Sequence, residues 1–335
     1  MKKVISPLLA ALMLAGLLTG CASQAEMPTV TATPAGPQAG SAADEKIRIV
    51  TTIFPEYDWV REILGDKADS AEITMLLDNG VDLHSYQPTA DDIIKLSDCD
   101  LFVYVGGESD GWVDDALKSA ANKNRKVINL LDVLGDSVKE EETVEGMQEE
   151  EEDHEEKEYD EHVWLSLKNA KTLVGAISAA LQGLDPDNKD TYAANADAYV
   201  QKLSALDAEY QKAVSAGTYK TLLFGDRFPF RYLVDDYGLS YYAAFVGCSA
   251  ESEASFETVS FLAKKVDELK LPCVLTIEGK NHKIAETIVQ NTAGKNQKIL
   301  TMDSMQSTTS QDVARGTTYL SLMAKNLDVL KEALG

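Results

Sequence analysis

A chain of 335 residues that is 44% hydrophobic and 26% charged has the make-up of a folded globular protein, with room for two domains of about 150 residues each. Its 31 Lys and Arg stand against 55 Asp and Glu, a net charge of −24, which repels phosphate backbones, excludes nucleic acid as a partner and attracts cations. With 4 His and 4 Cys, each candidate imidazole or thiol ligand can be placed individually.

Lys2 and Lys3 precede an apolar stretch over residues 4–18, too short to span a bilayer and suited to the core of a signal peptide over residues 1–20. Leu18-Thr19-Gly20-Cys21 resembles the bacterial lipobox, in which cleavage before Cys leaves a thiol for lipid attachment; two or more acyl chains at Cys21 would anchor the protein stably. Loss of Lys2 and Lys3 takes the net charge from −24 to −26. Residues 21–45 are rich in Ala, Thr, Pro, Gly and Ser and read as a flexible tether. Cys99, Cys248 and Cys273 are odd in number, lack CxxC spacing and sit among apolar residues, so they read as buried free thiols.

From Ile47 onward, strand patterns at 47–54, 71–77, 101–105 and 126–129 alternate with helical patterns at 56–64, 91–96 and 113–121. That alternation implies βαβ units and a mainly parallel sheet in a first lobe over residues 46–184. Its rhythm breaks at an acidic segment, 139–161. Between Glu140 and Glu161 stand 14 acidic residues and one Lys, a density that predicts a solvated loop. Asp185-Pro186-Asp187 then reads as a helix start. Tyr192, Tyr199, Leu203, Leu206, Tyr210 and Val214 follow as one apolar stripe, predicting within the spine segment 185–216 a helix of roughly 28 residues, about 42 Å long. In a second lobe, 217–335, strands are expected at 221–224, 239–246, 274–277 and 299–300. Helices are expected at 230–237, 256–269, 284–291 and 317–334. The fold class is therefore α/β: two βα lobes with mainly parallel sheets, joined by one long helix.

Three segments put a candidate ligand just past the carboxyl end of a strand or beside the acidic run, and strand ends are where open α/β sheets bind ligands. They carry His84 in a Gly- and Pro-bounded loop (80–88), His162 after the acidic run, and Asp303 after the last strand. Singly these read as a surface His, a His at a helix start and a helix cap. His282 lies among lysines and reads as a surface residue, and His154 is the one His inside the acidic run.

Gly80-Val81-Asp82-Leu83-His84-Ser85-Tyr86-Gln87-Pro88-Thr89 resembles the first metal-ligand loop of the zinc- and manganese-binding lipoproteins that serve ABC importers. Asp100-Leu101-Phe102-Val103-Tyr104-Val105-Gly106-Gly107 is similar to that family's next strand. Asp160-Glu161-His162-Val163-Trp164-Leu165 resembles its second ligand motif and Asp303-Ser304 its last. The resemblance covers residues 46–335, with lipobox, acidic loop and spine helix in the family's order. It implies a divalent metal in the cleft between the lobes, with His84, His162 and Asp303 as ligands. It also implies delivery to the permease and ATPase of an importer by a monomer, lipid-anchored outside a bacterial cell membrane.

One position departs from the family. Its third ligand, a His or Glu, lies ten residues before a Tyr-Gly-Leu-like triplet; here that count back from Tyr237-Gly238-Leu239 reaches Arg227. A guanidinium is permanently charged, has no acceptor and cannot coordinate a cation. Asp226 is the first substitute, after a one-residue shift. Glu278, Glu251 or Glu253 are others, as is a site of three protein ligands plus water. Arg227 would then hold one of these carboxylates in a salt bridge beside the site. Two His with one or two carboxylates suit Zn2+ and also Mn2+ or Fe2+. An acidic insertion at this place favours zinc in the family, and loss of a third His disfavours it. A metallohydrolase is the competing chemical class, yet the chain has no HExxH, GxSxG or Gly-rich phosphate loop, so a binding protein is expected and not an enzyme. A surface adhesin is compatible with the same anchoring.

Overall fold

The computed structural model describes residues 46–148, 158–249 and 253–335. Cys21 with the leader and tether, His154 and Glu251 lie outside the described residues. In chain order, β1 (Ile47–Thr51), α1 (Phe54–Leu64), β2 (Ala71–Met75), α2 (Ala90–Asp98), β3 (Leu101–Tyr104), α3 (Val113–Ser119) and β4 (Lys126–Asn129) form the first α/β half. Helices α4 (Leu130–Leu134), α5 (Leu167–Leu184) and α6 (Lys189–Ala216) lead to the second. There follow β5 (Thr221–Phe228), α7 (Arg231–Tyr237), β6 (Ser240–Val246), α8 (Phe256–Leu269), β7 (Cys273–Ile277), α9 (Lys283–Asn291), β8 (Lys298–Met302), α10 (Ser310–Ala314) and α11 (Tyr319–Leu334).

Each half builds a four-stranded, all-parallel sheet, with orders β2-β1-β3-β4 and β6-β5-β7-β8. The two orders are the same permutation. Helices covering both faces explain why β3 and β7 are buried along their whole length. Local chemistry sets the helix starts: Glu56 accepts from the backbone N–H groups of Thr52 (2.8 Å) and Ile53 (3.2 Å) ahead of α1, and Ser166 accepts from Asn169 N at the start of α5.

The spine is 28 residues long, but it begins at Lys189, four residues later than expected. Pro186–Asn188 forms a separate 3-10 turn, and the Asp185 carboxylate accepts from Asn188 (2.7 Å) and Tyr192 (2.6 Å). Tyr192, Tyr199, Leu203, Tyr210 and Val214 are buried as the stripe requires, while Leu206 packs at its margin. α6 lies against α1, α5 and α11, so it touches both halves. One hydrophobic core runs without interruption from the first sheet through α5 and α6 to the second; a smaller core lies under α8 and α9.

Two expectations need correction. β5 continues past Phe224 to Phe228, with a register shift between Phe224 and Arg227 against β6, so residues 225–228 are strand and not loop. The first part of the acidic segment also packs, contrary to the reading of 139–161 as wholly solvated. Met147 is buried, Gln148 N donates to Ala244 O (2.9 Å), and Cys248 N donates to Glu141 (3.0 Å). Val144 and Met147 supply the apolar contacts that the charge count obscured. Cys99 and Cys273 are buried free thiols, as expected.

Candidate metal centre

His84 reaches its place through a short chain of hydrogen bonds. Asp82 Oδ1 accepts from His84 N (3.0 Å) and so caps the 3-10 turn Leu83–Ser85, while Asp82 Oδ2 meets Arg227 Nη2 from the second half (2.5 Å). The His84 ring points Nδ1 at Ser109 Oγ (2.8 Å) and at Glu161 Oε2 (3.4 Å). Glu161 in turn accepts from Ser109 N (2.9 Å). The glycine at 107 is required here: its φ is +81°, and a Cβ would land on the Glu161 carboxylate.

His162 is completely buried, and Asp160 Oδ1 accepts from both its backbone N (2.8 Å) and its Nδ1 (3.0 Å). With both Nδ1 atoms so engaged, the two Nε2 atoms face each other at 3.1 Å. Carboxylate and hydroxyl partners on the far ring nitrogen are the arrangement that orients metal-ligating histidines. Burial pushes His84 down to about 3, helped by the charge of His162. Burial also works against a charged His162, but the Asp160 carboxylate lifts it above the ordinary histidine value by charge and hydrogen bond. The 3.1 Å spacing is that of a hydrogen bond between the two Nε2 atoms.

Cys248, two residues past β6, brings its sulfur into the same place. One ligand atom from each of His84, His162 and Cys248 lies within 4.8 Å of the other two, the one such group of His, Cys, Asp or Glu among the described residues. Gly247 lets the strand end approach: a Cβ there would stand 3.0 Å from His162 Cε1. Burial, then the charges of Glu141, Asp160 and Glu161, raise the Cys248 thiol well above its usual value. Burial also pushes Glu161 up to about 7. A cavity of about 290 Å³ adjoins His84, walled also by Glu108, Glu141, Glu158, Glu161 and Cys248. These carboxylates make it a cation environment.

The remaining candidates stand at the strand ends of the second half but outside that three-residue group. Asp226 accepts from Arg227 N (2.9 Å) and Ile277 N (3.3 Å). Glu278 accepts from Ser304 N (2.6 Å), Ser304 Oγ (2.7 Å) and Gln306 N (3.2 Å). Asp303 is half-buried with Oδ1 on Met305 N (2.8 Å), and burial together with Glu278 pushes its carboxyl up to about 6. The loop carrying Asp303 meets the histidines through Gln306, whose Nε2 is 3.3 Å from His162 Nε2 and whose buried Oε1 has no hydrogen-bond partner. Arg227 does hold a carboxylate beside the site, but it is Asp82 and none of those proposed. Glu253 is exposed, and His282 stands half-buried ahead of α9. Sequence reasoning read Cys248 as a buried free thiol, where it is half-buried, and passed over Ser109 and Gln306. The strand-end rule that selected Asp303 applies equally to Cys248, and was the signal available.

A family model described as zinc-uptake complex component A, periplasmic (ZnuA), matches residues 49–333. The zinc-binding lipoprotein AdcA of Streptococcus pneumoniae TIGR4 is 33% identical over 296 residues, 87% of this chain and 56% of that protein. The chain thus spans little more than half the length of that relative. The high-affinity zinc uptake system protein ZnuA of Bacillus subtilis 168 is 31% identical over 299 residues, 87% of this chain and 88% of the relative. The crystal structure of the Zn(II)-bound ZnuA-like domain of S. pneumoniae AdcA superposes with a TM-score of 0.68 at 31% identity, covering 87% of this chain and 99% of that domain.

Proposed function

The chain belongs to the periplasmic zinc-uptake component A family, and from that premise we propose that it captures Zn2+ on His84 and His162 and delivers it to the permease and ATPase of an ABC importer. It is a carrier and not an enzyme. Lipid at Cys21 would hold the monomer at the outer face of a bacterial cell membrane. No helix among the described residues is long and apolar enough to cross a membrane, which is compatible with an anchor of that kind.

The observation that carries this reading is the pair of Nε2 atoms 3.1 Å apart, each ring fixed from behind by Ser109 or Asp160. In a tetrahedral zinc site with Zn–N near 2.0–2.1 Å, two nitrogens stand roughly 3.3 Å apart. The pair is therefore spaced for one ion with little movement. Calorimetric titration with Zn2+ and Mn2+ tests it. Zinc is expected to bind far below millimolar, and His84→Ala and His162→Ala are each expected to weaken it by more than ~10-fold. Millimolar binding by the unaltered protein would sink the reading. Tighter binding of Mn2+ or Fe2+ than of Zn2+ would keep the carrier but change its cargo.

A further inference from the structure

We infer that Cys248 Sγ is the third protein donor to the captured ion, which makes the centre a two-nitrogen, one-sulfur site selecting thiophilic divalent cations. The inference rests on His84 and His162 being ligands and extends that reading. Its ground is geometric. Among the described residues, the sulfur shares with the two rings the one grouping of His, Cys, Asp or Glu in which three donor atoms lie within 4.8 Å of one another. Zn–S near 2.3 Å and Zn–N near 2.0–2.1 Å put tetrahedral N···S separations at roughly 3.6 Å, inside that limit.

The strand pairing explains why this residue takes the role. Arg227 occupies the end of β5, where its guanidinium cannot bind a cation and is engaged by Asp82 and by the Ser249 carbonyl (3.2 Å). β6 runs alongside in parallel, with Phe245 opposite Arg227 and Val246 opposite Phe228. A donor missing from the end of β5 is thus supplied from the neighbouring strand two residues beyond its end. Glu141 fixes the Cys248 backbone through its N–H (3.0 Å), and Gly247 removes the Cβ that would hold β6 off the His162 ring. Asp226, Glu278 and Asp303, the carboxylate alternatives on the second half, already accept backbone N–H groups.

A thiolate in the donor set favours Zn2+, Cd2+ and Co2+ over the harder Mn2+. The test loads the full chain with Co2+ and reads the thiolate-to-cobalt charge-transfer band in the near ultraviolet. The unaltered protein and a variant with Cys21, Cys99 and Cys273 all replaced by Ala are expected to show the band, and Cys248→Ser to lack it. Zinc affinity in Cys248→Ser should fall by ~10–100-fold, and the preference for Cd2+ over Mn2+ should fall with it. Zinc binding that survives Cys248→Ser unchanged, with no charge-transfer band in the unaltered protein, overturns the inference and leaves the carrier reading standing. If Asp303→Asn and not Cys248→Ser abolishes tight binding, Asp303 is the third donor and the inference is likewise overturned. Failure of the unaltered protein to bind zinc at all defeats both.

Discussion

Asp82 does two jobs with one carboxylate, capping the His84 turn with Oδ1 and taking the Arg227 guanidinium with Oδ2. Ser109 has the simpler task of holding His84 Nδ1, so Ser109→Ala should weaken zinc binding by ~10-fold with the thermal midpoint unmoved, read by competition with a chelator. Asp58 tests electrostatics away from the site. It is buried in α1, accepts from Tyr319 N (2.9 Å), and burial pushes its carboxyl up to about 7. Unfolded, the same group titrates near about 3.9. Its contribution to stability is therefore complete below that value and lost as pH rises through about 7. Asp58→Asn keeps an acceptor for Tyr319 and removes the titration, so its urea midpoint should fall less than that of the unaltered protein between about pH 5 and about pH 8. At this scale the sequence was legible where motif and neighbours coincide: His84 between Gly80 and Pro88, His162 directly after Asp160-Glu161. Cys248 was not. Val246-Gly247-Cys248-Ser249 has no periodicity of its own, and its nearness to the histidines depends on a bulged β5–β6 pairing that local pattern does not encode.

Elements with a long period were the easiest to read. The stripe on α6 reports burial against α1, α5 and α11, and Leu203, fully buried within it, is the position to probe. Leu203→Ala should cost about 2–5 kcal/mol of unfolding free energy, measured in urea, because it opens a cavity among helices that cannot all move inward. α4 and α10, at five residues each, are shorter than two turns and leave no stripe. The extension of β5 through Gly225 and Asp226 escaped notice for a different reason: Gly and Asp both speak against strand, and what holds them there is partly a tertiary bond from Ile277 N to Asp226.

The whole molecule has two sheets but one principal core. Trp164 ties the halves further, its indole N–H donating to Ser304 O (2.9 Å) while its own carbonyl accepts from Tyr319 (2.6 Å). Residues 46–335 should therefore melt in one transition, with near- and far-ultraviolet circular dichroism coincident. Two separated transitions would show that the halves are energetically independent. The continuity of that core also bears on how a bound ion could leave. Two bodies rocking about a flexible hinge would have to break contacts between the halves such as Trp164 on Ser304, and the shared apolar interior opposes that. On the proposed donor set, departure then falls to the short connectors that carry His84, His162 and Cys248. Residence time would be set by how quickly those few short connectors rearrange, and any receiving protein would need to act on them directly.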